Sequence, residues 1–124
     1  MQLVNGFTLM DYAEKNHLVL PAFNTTNYEL TAGIIKGFDE AGLGGYIAIS
    51  SSNLKLSSPK IIADMVKSVM KDISTPVALH LDHGKSFEDV KACIEAGFTS
   101  IMVDASHLPF EENKFDAVIV AFGV

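Results

Sequence analysis

The 124-residue sequence has little of several features that mark common classes of protein. Its single cysteine, Cys93, cannot form an internal disulfide bond, which favours a reducing compartment, most simply the cytoplasm. The lysines are scattered and the formal net charge is −6, which argues against a nucleic-acid-binding surface. No apolar run approaches the roughly 18 residues of a membrane span, and the first residues lack a signal-peptide pattern. We therefore expect a soluble cytoplasmic protein that binds neither nucleic acid nor membranes.

Three motifs of familiar catalytic sites are missing as well. The sequence has no glycine-rich phosphate loop, no cysteine pair at metal-binding spacing and no serine in a nucleophile-elbow motif. Apolar residues nevertheless make up 48% of the chain and charged residues 19%, which is the composition of a globular domain with one core. Any chemistry must therefore come from histidines, carboxylates and other polar side chains.

Short apolar segments alternate with amphipathic helical segments along most of the chain. The predicted strands cover residues 18–23, 45–49, 76–81 and 100–103, and a predicted helix follows each of the first three. Successive strands are roughly 25–30 residues apart, the size of a βαβ unit, which predicts a parallel sheet with right-handed crossovers. Residues 115–122 are also predicted to form a strand, which comes too soon for a helix of ordinary length to precede it.

Capping residues mark the ends of the predicted helices. Thr26 and Glu29 form a capping-box pattern at the start of the first of these helices. Ser58 before a proline and Ser86 begin the next two, and Gly97 is a natural C-terminal cap for the last. In the first of these helices the spacing predicts one apolar face, made of Leu30, Ile34 and Phe38.

Polar residues stand at the end of every predicted strand except the last. They are Asn24, then Ser50, then His80, Asp82 and His83, and finally Asp104, Ser106 and His107. The carboxyl ends of parallel strands lie at one rim of the sheet, so these side chains are expected to converge there. Such a rim is where α/β enzymes place their active sites.

The segment His80-Leu81-Asp82-His83-Gly84 is the most unusual of these strand ends. A neutral imidazole suits Zn²⁺, so His83 is a candidate ligand, and His80 is either a second ligand or a support for one. Asp82 is the right type of group for general acid/base chemistry. Strand alternation would place His83 on the opposite face from His80 and Asp82, so a shared site requires a backbone turn, which Gly84 favours. The alternative is a polar strand end with satisfied hydrogen bonds.

The other polar strand ends have alternatives of the same kind. Asp104 is a candidate metal ligand or a carboxylate that supports one, and it could equally be a helix or turn cap. Ser50 could hold a phosphate or a hydroxyl group, but serine runs are common in loops. Asn24 and His107 likewise fit either a site or an ordinary loop.

Several of these stretches resemble the class II, metal-dependent fructose-bisphosphate/tagatose-bisphosphate aldolases. The matching residues are 21–24 (PAFN), 77–84 (VALHLDHG), 96–107 (AGFTSIMVDASH) and 109–113 (PFEEN). The resemblance runs in order over residues 1–113 and implies a (β/α)8 TIM barrel. The chain would hold about the first four βα units of that barrel, with an atypical C-terminal tail.

The resemblance also implies a reaction, namely reversible aldol cleavage of a ketose 1,6-bisphosphate, fructose or tagatose. The products are dihydroxyacetone phosphate and glyceraldehyde 3-phosphate, and Zn²⁺ acts as a Lewis acid on the ketone oxygen. Asp82 would be the proton donor and acceptor, His83 a ligand of the catalytic zinc, and Asp104 a ligand of a second divalent ion. Asn24 and Ser50 would contact the phosphorylated sugar, with His80 and His107 in supporting positions. The full-length parent would be a homodimer or homotetramer.

Residues 114–124 depart from the family pattern, which continues with further zinc histidines and a phosphate-binding loop. A truncation, an internal deletion or a frameshift would each produce such a tail. We therefore expect the chain alone to have little or no aldolase activity and to bind zinc weakly. The alternatives are a non-catalytic remnant that at most self-associates, and an unrelated α/β metal-binding protein.

Overall fold

The computed structural model describes residues 3–104 and 119–121 of the chain. Four α-helices and five strands lie in these residues, together with a short 3₁₀ helix, Ser51–Lys55. In chain order they are α1 (Gly6–Lys15), β1 (Ala22–Asn24), α2 (Tyr28–Ala41), β2 (Gly45–Ser50), α3 (Pro59–Met70), β3 (Val77–Gly84), α4 (Phe87–Ala96), β4 (Ser100–Asp104) and β5 (Ile119–Ala121). The strands form one sheet in the order β1-β2-β3-β4-β5, and each pairs in parallel with the next. The predicted alternation of strands and helices in a parallel sheet is confirmed.

The hydrophobic core lies between one face of the sheet and helices α2, α3 and α4. Strand residues on this face alternate with residues on the other, as expected for a pleated strand. The core-facing members include Ile47, Ile49, Leu79, Leu81, Ile101 and Val103. The opposite face is more polar, since it carries Tyr46, His80 and Ser100. This second face is therefore the one available for a functional site.

Helix α1 closes the amino end of that second face. Its approach is fixed by backbone hydrogen bonds from Val4 to the Val77 carbonyl, at 2.9 Å, and from Gly6 to the Thr99 carbonyl, at 3.1 Å. The Tyr46 hydroxyl donates a further bond to the Gly6 carbonyl, at 2.7 Å. Because these contacts lie at the amino ends of β3 and β4, α1 does not cover the carboxyl ends of these strands.

The first strand and the helix after it differ from the sequence prediction. Strand β1 covers residues 22–24 only, and Val19, predicted to lie in it, is 96% exposed. The cap of α2 is Asn27, whose side chain accepts a bond from the Leu30 backbone, and not Thr26. Leu30 itself is half exposed, and the buried residues of α2 are Thr31, Ile35 and Phe38. The buried face is therefore rotated from the predicted one and shares Phe38 with it, while Ile34 is partly buried.

The later boundaries agree with the sequence. Ser58 and Ser86 cap α3 and α4 through their side chains, and Gly97 ends α4 in the left-handed conformation with φ of 108°. Strand β5 lies within the predicted strand at residues 115–122, the rest of which is outside the described residues. None of the helices in the described part of the chain is long and apolar enough to cross a membrane.

Candidate active site at the carboxyl ends of the strands

The site begins with a contact between the ends of β1 and β3. The Asn24 side-chain amide donates a hydrogen bond to Oδ2 of Asp82 at 3.4 Å. These two residues are 58 positions apart in sequence and belong to strands that are not neighbours in the sheet. The parallel arrangement therefore brings together two side chains that the sequence assigned to one rim.

His83 reaches the same rim through an irregularity in β3. The pairing of β3 with β4 shifts between Leu81 and Gly84, so that one extra residue is accommodated in β3. His83 takes a left-handed backbone conformation with φ of 54°, which few residues other than glycine adopt. A bulge of this kind re-aims a side chain. It resolves the objection that strict alternation would send His83 to the opposite face from Asp82.

Gly84 was predicted to allow the backbone turn at this site, but the structure gives it a different role. The left-handed residue is His83, and Gly84 is still paired with Val103 of β4. A Cβ atom on Gly84 would stand 2.8 Å from Cγ2 of Val90, closer than side chains tolerate. The glycine is therefore required for close packing of β3 against α4, and the backbone reversal occurs one residue earlier.

A short hydrogen bond joins His83 to the end of β4. Nδ1 of His83 lies 2.8 Å from Oδ1 of Asp104. Because an ionised carboxylate only accepts hydrogen bonds, Nδ1 carries the proton and Nε2 keeps its lone pair in the neutral ring. The bond to Asp104 raises the pKa of His83, and the negative charges of Asp104 and Asp82 act in the same direction.

Asp82 also lies within reach of the same imidazole. Oδ1 of Asp82 is 3.9 Å from Nε2 of His83. The side chain of His83 is 53% exposed, and those of Asp82 and Asp104 are 27% and 12% exposed. Four side chains therefore form a row along the rim, in the order Asn24, Asp82, His83 and Asp104. His83, near the middle of the row, is exposed to solvent.

His80 lies one layer below this row, on the same face of β3. Its Nδ1 is 2.7 Å from the Ser100 hydroxyl, and its ring meets that of Tyr46 edge to face at a centroid distance of 6.0 Å. Burial lowers the pKa of His80, so the ring is neutral at physiological pH. Sequence reasoning did not identify Ser100. A small polar residue at an inward-facing strand position is the signal that could have revealed it.

The remaining predicted site residues have different outcomes. Ser50 is in register with Asp82 in the neighbouring strand, so it lies at the same rim, and its hydroxyl is 3.1 Å from that of Ser52. His107 lies outside the described residues. The structure thus brings Asn24, Ser50, Asp82, His83 and Asp104 to one rim.

The described residues do not form a complete metal site. Within residues 3–104 and 119–121, no group of three or more histidine, cysteine, aspartate or glutamate side chains is arranged to hold a metal ion. A zinc site requires at least three protein ligands. Among the described residues, the rim holds Nε2 of His83, which has a free lone pair in the neutral ring, beside the carboxylates of Asp82 and Asp104.

A cleft of about 880 Å³ lies at the other end of the molecule. It is lined by Leu3, Asp64, Lys67, Ser68, Met70, Lys71, Gly97 and Thr99. These residues belong to the amino end of the sheet and the adjoining parts of α3 and α4. None of the predicted site residues that the structure describes lines it, so the cleft and the polar rim are separate features.

Comparison with known proteins points to one family. The family model for class-II fructose-bisphosphate aldolase matches residues 4–118. A fructose-bisphosphate aldolase of Geobacillus stearothermophilus is 41% identical over 116 residues, which are 91% of this chain and 40% of the relative. One from Mycoplasma pneumoniae is 40% identical over 114 residues, 90% of this chain and 39% of the relative. The chain therefore spans about two fifths of the length of these relatives.

Solved structures support the same assignment. The YdjI aldolase of Escherichia coli K12 superimposes with a TM-score of 0.76 at 29% identity, covering 90% of this chain and 43% of that one. A structure described as a putative fructose-1,6-biphosphate aldolase from Coccidioides immitis gives a TM-score of 0.72 at 28% identity, covering 88% of this chain and 38% of that one. The prediction of a partial (β/α)8 barrel is confirmed.

Proposed function

The chain belongs to the class-II fructose-bisphosphate aldolase family, and on that premise we propose that it supplies the acid/base group and part of the metal site for reversible aldol cleavage of a ketose 1,6-bisphosphate. The observation that carries the proposal is the placement of a carboxylate on each side of one imidazole. Asp104 lies 2.8 Å from Nδ1 of His83, and Asp82 lies 3.9 Å from Nε2. The alternative of an unrelated α/β metal-binding protein is excluded by the family assignment.

His83 is the proposed zinc ligand. Its Nδ1–H donates to Asp104, which fixes the ring orientation and leaves Nε2 for the metal, the arrangement usual for ligating histidines. When bound, Zn²⁺ would supply Lewis-acid polarisation of the substrate ketone. The second carboxylate oxygen of Asp104 is the candidate ligand for a second divalent ion.

Asp82 is the proposed acid/base group. In the cleavage direction its carboxylate takes the proton from the hydroxyl group that becomes the aldehyde, and in the condensation direction it returns that proton. It is partly exposed at the rim, so a substrate can reach it directly. Ser50, which lies at the same rim, is the proposed contact with the phosphorylated sugar, and His80 supports β3 through its bond to Ser100. The side chain of Asn24, for which the resemblance implies a substrate contact, is bonded to Asp82.

The proposed reaction requires ligands beyond those that the described residues supply. The chain covers about two fifths of its relatives, and a catalytic zinc needs at least three protein ligands. We propose that the remaining ligands and the phosphate-binding groups come from a segment equivalent to the rest of those relatives. The assembled enzyme would be a cytoplasmic homodimer or homotetramer, and this chain alone would bind zinc weakly and turn over little or no substrate.

A chimeric enzyme tests the proposal. Residues 1–113 of this chain replace the corresponding part of the Geobacillus stearothermophilus relative, and zinc-dependent cleavage is assayed with fructose and tagatose bisphosphates. We expect turnover that a chelator abolishes and zinc restores. The Asp82→Asn variant should lose roughly 10²–10⁴-fold in kcat, the contribution typical of general acid–base catalysis.

The chimera also separates the proposal from the remaining alternative, a non-catalytic remnant. A folded chimera that binds zinc but does not cleave either substrate would favour the remnant. The control is Asp64→Asn in α3, whose side chain pairs with Lys60 on the surface, and this variant should retain full activity.

A further inference from the structure

We propose that Asn24 is a positioning residue for Asp82, and that the small side chain of Ala48 between them makes this contact possible. The inference rests on the proposed role of Asp82 in proton transfer. It assigns Asn24 a function different from the substrate contact that the family resemblance implies. The evidence is the hydrogen bond from the Asn24 amide to Oδ2 of Asp82 and the composition of the strand that this bond crosses.

The bond spans a whole strand. Asn24 in β1 pairs with Ala48 in β2, and Ala48 pairs with His80 in β3, so these three residues form one row across the sheet. Neighbouring strands are about 4.8 Å apart, so β1 and β3 are separated by roughly 10 Å. Residues paired in this way project from the same face of the sheet. Asp82 lies one row further along β3, in register with Ser50, so the path from Asn24 to Asp82 crosses β2 between the side chains of Ala48 and Ser50.

Alanine at position 48 leaves that path open. Ala48 is 3% exposed, so it is covered by its surroundings and a larger side chain there would rise towards the bridge. Tyr46 and Ser50, the residues on the same face of β2, are both larger. The path from Asn24 to Asp82 thus passes two small side chains of β2, the methyl group of Ala48 and the hydroxymethyl group of Ser50.

The contact distinguishes the two oxygens of Asp82. Oδ2 accepts from Asn24 at 3.4 Å, while Oδ1 faces Nε2 of His83 at 3.9 Å. Holding Oδ2 to one side directs Oδ1 towards the proposed metal ligand, where the reacting hydroxyl would lie. Hydrogen bonds in active sites are often long without substrate and shorten when substrate binds, so a distance of 3.4 Å suits this role.

The rotamer of Asp82 in the complete chain tests the proposal without any need for catalysis. Three-bond couplings from Cγ of Asp82 to its backbone nitrogen and carbonyl carbon report the χ1 population by NMR. We expect one staggered rotamer in the unmodified chain and averaging over several rotamers in Asn24→Ala. Asn24→Asp, which keeps the shape but replaces the donor with a like charge, should populate a different rotamer.

Two further variants isolate the path of the bond. Ala48→Val should produce the same averaging with Asn24 intact, while Ser50→Ala, which keeps a small side chain at the next position on the same strand face, should leave the couplings unchanged. Amide spectra confirm that each variant is folded. Unchanged Asp82 couplings in both Asn24 variants would overturn the proposal, whether or not the chain takes part in aldol cleavage.

The chimera gives an independent readout through its kinetic constants. A positioning role predicts that Asn24→Ala lowers kcat by roughly 10–100-fold, with KM for the bisphosphate little changed, because the acid/base group is misplaced. A raised KM with unchanged kcat would identify Asn24 as a substrate contact and contradict the proposal. Failure of the proposed function appears differently, as absence of turnover before any substitution at position 24.

Discussion

At the scale of single residues, His83 determines what the rim can do. Its backbone adopts φ of 54°, and its ring is held by Asp104 on one side and faces Asp82 on the other. Neither property follows from the identity of the residue alone. The ring orientation and tautomer come from a carboxylate 21 positions later in sequence, brought close by the pairing of β3 with β4.

The pKa of His83 can be tested directly. The bond to Asp104 raises it, so Asp104→Asn, which removes the negative charge, should lower the pKa of His83 towards or below the value of a free histidine, about 6.5. The measurement is a pH titration of the ring signals by NMR in metal-free protein. Asp64→Asn, far from the ring, is the matched control, and an upward shift in Asp104→Asn would show that Asp104 does not act as the structure indicates.

Cys93 is predicted to be unreactive in the folded chain. Burial raises the pKa of its thiol to about 12, and the nearby charge of Asp89 acts in the same direction. Only the thiolate reacts with disulfide reagents, so labelling of the native protein at pH 8 should be slower than that of the denatured protein by more than about a hundredfold. Rapid labelling under native conditions would mean that α4 opens frequently from the sheet.

At the scale of secondary structure, the boundaries set by local chemistry could be predicted and those set by pairing could not. Ser58, Ser86 and Gly97 act within their own helices, and each was correctly placed. Thr26 and Asn27 are both good caps, and the sequence does not say which one takes the extended conformation. The bulge in β3 depends on its pairing with β4, so alternation along β3 alone could not reveal it.

In the candidate site, too, some features could be predicted from the sequence and others depend on how the strands pair. The convergence of Asn24, Asp82 and Asp104 at one rim follows from the alternating order of strands and helices, which the sequence shows plainly. The hydrogen bonds between these side chains do not follow from the order of strands and helices. The bond from Asn24 to Asp82 crosses the intervening strand β2, and the bond from His83 to Asp104 depends on one additional residue in β3.

Gly84, beside the bulge in β3, is expected to be necessary for the stability of the fold. Gly84→Ala would place a methyl group 2.8 Å from Val90 and 3.1 Å from the Met102 carbonyl, so we expect a loss of about 1–3 kcal/mol in the free energy of unfolding. Urea denaturation followed by circular dichroism measures it. Gly37→Ala in α2 is the matched control.

The control should change stability in the opposite direction. A Cβ at Gly37 meets no atom within 4 Å, and alanine in a helix interior is better than glycine by about 0.5–1 kcal/mol. Equal effects of the two substitutions would show that β3 and α4 are not packed closely at Gly84.

At the scale of the whole molecule, β1 leaves one edge of the sheet unpaired within the described residues. Pro21 and Thr25 make backbone bonds to β2, so the intervening Ala22 and Asn24 present their backbone groups to the other side. Exposed apolar side chains lie near this edge, since Val19 is 96% exposed and Leu30 is half exposed. An open edge of this kind favours association with another chain.

We therefore expect concentration-dependent self-association of the isolated chain. Analytical ultracentrifugation should show larger species at higher concentration, and the double variant Val19→Lys/Leu30→Lys should shift the equilibrium towards monomer. The matched control is Leu56→Lys/Ile61→Lys, which alters exposed apolar residues elsewhere, between β2 and α3. An equal effect of both double variants would mean that association does not involve the β1 edge.

The docking of α1 beneath the sheet has a consequence for the order of events during synthesis. This helix is translated before the strands that it contacts, and the backbone partners at its start are the carbonyls of Val77 and Thr99. At roughly 5–20 residues per second, Thr99 follows Gly6 by about 5–20 seconds. Helix α1 must therefore stay undocked until Thr99, at the start of β4, has been translated.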